Sequence, residues 1–404
     1  MLSAIGNAET SRQFTRKFRA HRVGCIGCDY NRVAMESLLP VRRHVSLRAF
    51  NTFGIDAAAD TYLHVTDPGM LEQARRDPVL SKMPRLVLGG GSNLLLTGDF
   101  PGLVLHMGLT GIDIVGRTAH TVQVRAAAGE SWHVLVQWTL AQGFGGLENL
   151  SLIPGSVGAC PIQNIGAYGA EVGNLIDAVR YLDWETGAIA TLDRAACAFG
   201  YRDSIFKHGL RNRAIILDVT FGLPLQWRPN LQYVELANEL ANPASAKVEN
   251  PHPGLLETPL VPHADQDRPS DEPDEPDAAA ISRAVIAIRS RKLPDPARIG
   301  NAGSFFKNPV VTGAHRDALV ADWPALVSFA QPDGSYKLAA GWLIDRCGWK
   351  GRSVGAAGVY EKQALVLINR GNASGPEILH LAQAIQSDVQ ARFGVMLEAE
   401  PVIV

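Results

Sequence analysis

The sequence predicts an α+β protein. Short apolar runs read as strands and amphipathic stretches between them read as helices. The two are mixed without the regular strand–helix–strand repeat of a parallel α/β fold. The 404 residues are too many for one ordinary domain, and 46% apolar against 19% charged residues describes a globular chain with a substantial core. Gly occupies 39 positions, which points to many turns and close backbone approaches. Formal charge is −2 (38 Lys+Arg, 40 Asp+Glu), so no global field draws nucleic acid or an acidic membrane; an anionic ligand must be held locally. Five Cys make no disulfide framework in so long a chain and fit a reducing compartment. No apolar run approaches the ~18 residues of a membrane span, so no membrane insertion is expected.

Residues 1–44 carry basic side chains with no apolar stretch after them, which excludes a secretory signal. A disordered extension is expected there, or a start assigned too early with initiation near Met35. Further on, Thr61–Thr66 reads as a strand and Pro68–Arg76 as a helix with Asp67 as N-cap. Arg85–Leu88 is a buried strand entering a glycine loop. Leu103–His106, Thr121–Arg125, Ala178–Leu182 and Ala214–Thr220 are further strands, and Ser131–Ala141 has helical spacing. Residues 238–280 interleave prolines from Pro243 to Pro276 with acids from Asp265 to Asp277; such a stretch cannot offset its ordering entropy by burial and is expected to be a disordered insertion. Helices follow at Ile281–Lys292, Ala339–Arg346 and Glu377–Phe393, with strands at Ala364–Asn369 and Pro401–Val404.

Five segments carry candidate chemistry. Leu88-Gly89-Gly90-Gly91-Ser92-Asn93 lets backbone N–H groups converge on an anion, although it fits neither a dinucleotide nor a P-loop fingerprint and a plain turn reads it equally well. Pro154-Gly155-Ser156-Val157-Gly158 and Gln163-Asn164-Ile165-Gly166-Ala167-Tyr168 are smooth and almost uncharged, as backbone against a flat ring or a diphosphate must be; beside the first loop they favour a large-cofactor site over mere packing. Arg202 lies among apolar neighbours, so a bound carboxylate or a pair with Asp203 must compensate it. Ser304 lacks the G-x-S-x-G elbow of an acyl nucleophile, so it either caps a turn or gives a proton to a basic carbanion. Glu398 and Glu400 point the same way along an extended strand, and alternation does not choose between them. No metal set emerges: the His are scattered, and Cys25-Ile-Gly-Cys28 lacks a second pair.

Eight motifs in order together resemble the UDP-N-acetylenolpyruvoylglucosamine reductase family, in its tyrosine-loop subtype. They are Asn51-Thr-Phe-Gly-Ile55, the three loops above, Tyr201-Arg-Asp-Ser204, Lys292-Leu-Pro-Asp-Pro296, Asn301-Ala-Gly-Ser-Phe-Phe-Lys-Asn-Pro309 and Ala339-Ala-Gly-Trp-Leu-Ile344. The resemblance implies a two-lobed FAD-binding domain of the PCMH/vanillyl-alcohol-oxidase type (45–107 and 108–293, the latter holding the insertion) and a C-terminal α/β substrate domain (294–404). It implies noncovalent FAD, contacted by Gly89–Asn93, Pro154–Gly158, Gln163–Gly166 and Tyr168, and NADPH as reductant. The expected reaction turns UDP-N-acetylglucosamine-enolpyruvate into UDP-N-acetylmuramate, in the cytoplasm, by a monomer. Arg202, Ser304 and Glu400 take the family's catalytic positions, and Tyr201, Tyr233, Lys292, Asn308 and Gln363 its substrate contacts. Pro401-Val402 replaces a Val-Arg of some members, removing any FAD contact made by that arginine. The rivals are another FAD-dependent oxidoreductase of this fold, acting on a sugar or alcohol, and a non-catalytic nucleotide-sugar binder. Flavin tethering is not expected, because the glycine loop offers no His or Cys.

Overall fold

A four-stranded sheet in the order Arg42–Ser46, Ala58–Val65, Phe100–Met107, Arg85–Leu88 sits between the two main cores. The computed structural model describes residues 39–241 and 276–404. Strand alternation divides this sheet's side chains: Leu63, Val65, Leu103 and Leu105 enter one core, while Ala59, Tyr62, Leu88 and Val104 enter the other. Its inner strands are parallel and its Arg42–Ser46 edge antiparallel. The first core is shared with a five-stranded antiparallel sheet, ordered Ile189–Asp193, Ile176–Asp183, Ala214–Pro224, Thr121–Ala127, Ile112–Arg117, and with the helix Trp132–Ala141. The second core is shared with the sheet Gly300–Ser304, Val366–Asn369, Ala357–Val359, Ser353–Val354 and the helices Ala340–Arg346 and Gly375–Phe393.

Local signals placed many of these elements. Asp67 caps Pro68–Arg76 by accepting from Gly69 N at 2.7 Å. Ser374 and Glu377 form a capping box, and Gly394 ends that helix in the left-handed region at φ +66°. The last strand, Val402–Ile403, runs parallel to Leu94–Leu95 and ties residues 402–404 to the loop beyond Asn93.

Two expected boundaries need correction. The extension assigned to 1–44 overlaps the edge strand Arg42–Ser46, which forms because its backbone pairs with Ala58–Val65 although its Arg side chains stay in solvent. The insertion assigned to 238–280 overlaps two helices, Val234–Ala241 and Ala278–Lys292. Leu236 packs with Ile281, Ala284, Val285 and Ile288 in a small core of their own, and Asp277 Oδ1 caps the second helix through Ala280 N at 2.5 Å. The helical pattern of residues 234–241 was masked by the proline-rich run that follows. Residues 242–275, the bulk of the acidic segment, and residues 1–38, including Cys25, Cys28 and Met35, lie outside the described residues. Among the described residues no helix is long and apolar enough to cross a membrane.

Candidate active site

The two glycine loops face each other directly. Ser92 Oγ donates to Pro154 O at 3.0 Å, and a Cβ on Gly90 would stand 2.9 Å from Gly155 Cα. Gly91 has φ +59°, and a Cβ there would meet Phe50 O at 2.0 Å. Small residues are therefore demanded by backbone packed on backbone, a reason additional to any ligand. The contact leaves donors unspent: among the described residues, the N–H groups of Gly90, Gly91, Ser92, Asn93, Gly155 and Ser156 donate no hydrogen bond. Free amides on two loops in contact suit a diphosphate, so the donor set fits FAD. Other expected cofactor residues act differently. Val157 and Ile165 bury their side chains in the core, and Asn164 spends its amide on Glu171 Oε2 (3.0 Å), Gly200 O (2.9 Å) and Gly173 N (2.8 Å).

Asn93 joins these loops to the C-terminal segment. Its Nδ2 donates to Gln163 Oε1 at 2.7 Å and to Glu400 O at 3.2 Å. Glu400 is delivered by backbone pairing: Glu400 N donates to Phe305 O (2.8 Å) and Lys307 N to Glu398 O (2.9 Å). Beyond the bridge Phe306–Ala399, Glu400 is largely buried against Arg202, whereas Glu398 stays exposed and pairs with Lys307. Of the two carboxylates that alternation left open, Glu400 therefore faces the centre. Ser304 ends the strand Gly300–Ser304, next to Phe305, and its hydroxyl makes no hydrogen bond among the described residues.

Arg202 completes the centre. Its Nε donates to Glu400 Oε1 at 3.1 Å and its Nη2 to Gly166 O at 3.0 Å. Asp203, the other partner the sequence left open, instead binds His208 at 2.8 Å. Burial pushes the Glu400 carboxyl above its ordinary pKa, against the downward pull of Arg202, Lys207 and Lys307. A carboxyl so placed holds a proton more readily than one in water, while the guanidinium offers a planar fork to a second carboxylate.

Around this centre the expected substrate residues are spread. Tyr233 is 43% exposed and sets its ring edge-on to Tyr168, with centroids 5.2 Å apart. Burial raises the Tyr168 phenol to about 12 despite Arg289 beside it. Lys292 Nζ pairs with Glu235 Oε2 at 2.5 Å. Asn308 Oδ1 accepts from Ala340 N (2.9 Å) and Gln363 Oε1 from Leu365 N (3.3 Å), leaving their NH2 groups as the donors for a ligand. Tyr201 lies under Lys337 Nζ, 3.7 Å from the ring centroid. Sequence reasoning missed Lys207, Lys337 and Glu171. Lys207 stood in the Arg202 motif and was readable; Lys337 and Glu171 reach the site only through the fold. A cavity of about 400 Å³ between Arg48, Arg298 and Arg370 shares none of these residues; exposed arginines line it and no buried acid or base faces it, so the chemistry lies elsewhere.

Residues 295–404 match the family model described as the UDP-N-acetylenolpyruvoylglucosamine reductase C-terminal domain, and residues 59–193 match an FAD binding domain. The chain is 54% identical over 356 residues to the UDP-N-acetylenolpyruvoylglucosamine reductase of Paraburkholderia phytofirmans, across 88% of this chain and 95% of that protein. It is 52% identical over 366 residues to that of Ralstonia nicotianae, across 89% and 98%. The crystal structure of the enzyme (MurB) from Thermus caldophilus has the same fold, with a TM-score of 0.59 at 23% identity over 90% of this chain and 99% of that one. The α+β architecture with a PCMH-type FAD-binding domain stands as expected. The chain belongs to the UDP-N-acetylenolpyruvoylglucosamine reductase family.

Proposed function

We infer that the chain reduces UDP-N-acetylglucosamine-enolpyruvate to UDP-N-acetylmuramate, an oxidoreductase step of peptidoglycan precursor synthesis, with NADPH as reductant. The rival reading, an oxidase of sugars or alcohols on the same fold, has no support among relatives 50–54% identical. FAD, held noncovalently, supplies the two-electron hydride chemistry that side chains lack. The observation that carries the reading is the Arg202–Glu400 pair, held beside Gly166 and the Asn93–Gln163 contact, with the free Ser304 hydroxyl on the adjoining strand.

Reducing an enol ether next to a carboxylate leaves negative charge on the carbon bearing that carboxylate. Arg202 binds the carboxylate in its fork, and Glu400, inclined by burial to keep its proton, shares that proton with the enolate oxygen. Ser304 then delivers a proton to the carbon; a hydroxyl suits this because the acceptor is very basic, and Lys207 and Lys307 bring positive charge to the same region. The free amides of Gly90–Asn93, Gly155 and Ser156 hold the cofactor diphosphate. Lys292 holds the substrate diphosphate and Tyr233 closes over the nucleotide to exclude water. On this reading residues 45–107 and 108–293 form the cofactor lobes and 294–404 the substrate domain, in a cytoplasmic monomer.

The test is optical. Purified protein is expected to be yellow, to bleach anaerobically with NADPH and to recolour on addition of UDP-N-acetylglucosamine-enolpyruvate. Bleaching without recolouring by that compound rejects the substrate.

A further inference from the structure

Arg202 sits at φ +55°, in the left-handed region. For a residue with a long side chain this costs on the order of 1–3 kcal/mol and persists only where the surroundings enforce it. Glu400 and Gly166 O fix the guanidinium, but they hold the tip and not the backbone. The backbone is held by the tight turn Gly200–Asp203, in which each N–H donates to the other residue's carbonyl at 3.0 and 3.2 Å, and by Lys207, whose Nζ donates to Arg202 O at 2.8 Å. Lys207 is itself anchored. It closes the short turn Ile205–Lys207, capped by Ser204, whose hydroxyl also donates to Ile162 O at 2.6 Å, and its neighbour Phe206 is in the core. The half-buried ammonium spends this hydrogen bond on a carbonyl and not on a carboxylate, although burial and the charge of Lys307 both depress its pKa. A cation kept there against its solvation needs a reason.

We propose that Lys207 is a positioning residue: it braces the Arg202 carbonyl within the Gly200–Asp203 turn, keeping the guanidinium aimed at Glu400, and it sets a second positive charge near that carboxyl. The inference rests on Arg202 and Glu400 acting on the substrate carboxylate as described above. The charged and titratable groups facing Glu400 are Arg202, Lys207, Lys307 and Tyr201. Removing the Lys207 charge therefore raises the Glu400 carboxyl further, so the pH at which Glu400 loses its proton moves upward.

The experiment compares Lys207→Met and Lys207→Arg in the holoenzyme. Lys207→Met is expected to slow recolouring by substrate on the order of tenfold to a hundredfold, the size of a lost charged hydrogen bond, while bleaching by NADPH changes less than about twofold. Its pH profile for recolouring is displaced to higher pH, as is the carboxyl infrared band of Glu400 followed in the resting protein. Lys207→Arg, which keeps charge and donors, restores most of the rate. Unchanged recolouring with an unmoved profile overturns the proposal. So does equal slowing of both half-reactions in both variants with a lowered melting temperature. Arg202→Lys separates the two readings. If it too leaves recolouring intact, the assignment of the centre fails; if it alone is crippled, only the role of Lys207 fails.

Discussion

Arg202–Glu400 and Lys292–Glu235 are both cation–carboxylate pairs, but the first has side-chain exposures of 20% and 11%, the second 45% and 30%. Burial raises the Glu400 carboxyl and leaves the pair dependent on every surrounding hydrogen bond. The Lys292–Glu235 pair sits between two surface helices that already share a small apolar core, and such pairs contribute about 0–1 kcal/mol. On the proposed mechanism the inner pair manages a proton beside a bound carboxylate. On the same proposal the outer pair is a weak latch that a phosphate would replace on Lys292.

If the inner region is where chemistry happens, Ser304→Ala is the largest blow. Recolouring by substrate should fall about 10²–10⁴-fold while bleaching by NADPH persists, as rapid mixing would record. Equal loss in both half-reactions ends the proton-donor role. Next, Gly90→Ala places a methyl 2.9 Å from Gly155 Cα and should cost about 1–3 kcal/mol, the range for overpacking, with flavin lost on gel filtration. Normal flavin content would mean that the two loops yield without disturbing the site.

The third prediction concerns pH. A carboxyl whose folded pKa is raised contributes stability that is complete below its unfolded pKa and is lost as pH rises through the folded one. Recolouring that needs the Glu400 proton should fall in the same upward direction, and Glu400→Gln should abolish that limb in a pH–rate profile. A smaller effect is expected at the outer pair. Glu235→Gln should change unfolding free energy by less than about 1 kcal/mol in urea melts, yet tighten UDP binding and leave uridine binding alone. Weaker UDP binding would make Glu235 an organiser of Lys292 and erase the contrast between the two pairs. Least affected should be a variant in which a short Gly/Ser linker replaces residues 244–274, with turnover expected within a few-fold in a steady-state assay.

These regions also differ in how far the sequence exposes them. The helix Pro68–Arg76 and the strand Arg85–Leu88 were readable to the residue, because a cap, a proline and an apolar run are local signals. The glycine loops were legible as loops, but only the fold shows that Gly90 is required by Gly155, Gly91 by Phe50 and Gly158 by Ala128. The choice between Glu398 and Glu400 was closed to alternation, since it is made by distant partners, Arg202 beside the buried Glu400 and Lys307 beside the exposed Glu398. Arg202 presented its need for a carboxylate in its apolar neighbours, and the partner stood 198 positions away, where no spacing rule reaches. The helix Val234–Ala241 was lost for the opposite reason: its pattern is local, but a louder proline signal abuts it.

The pairing of Val402–Ile403 with Leu94–Leu95 follows directly on Glu400 in the chain, so that carboxyl is placed beside a two-stranded seam. A chain halted shortly before residue 400 would still possess both large cores and both glycine loops. Such a product would lack Glu400 and also the backbone bonds by which residues 402–404 meet Asn93, Leu95 and Thr97 beside the first glycine loop. The candidate acid and the loop beside it are therefore secured by the same few residues at the end of the chain.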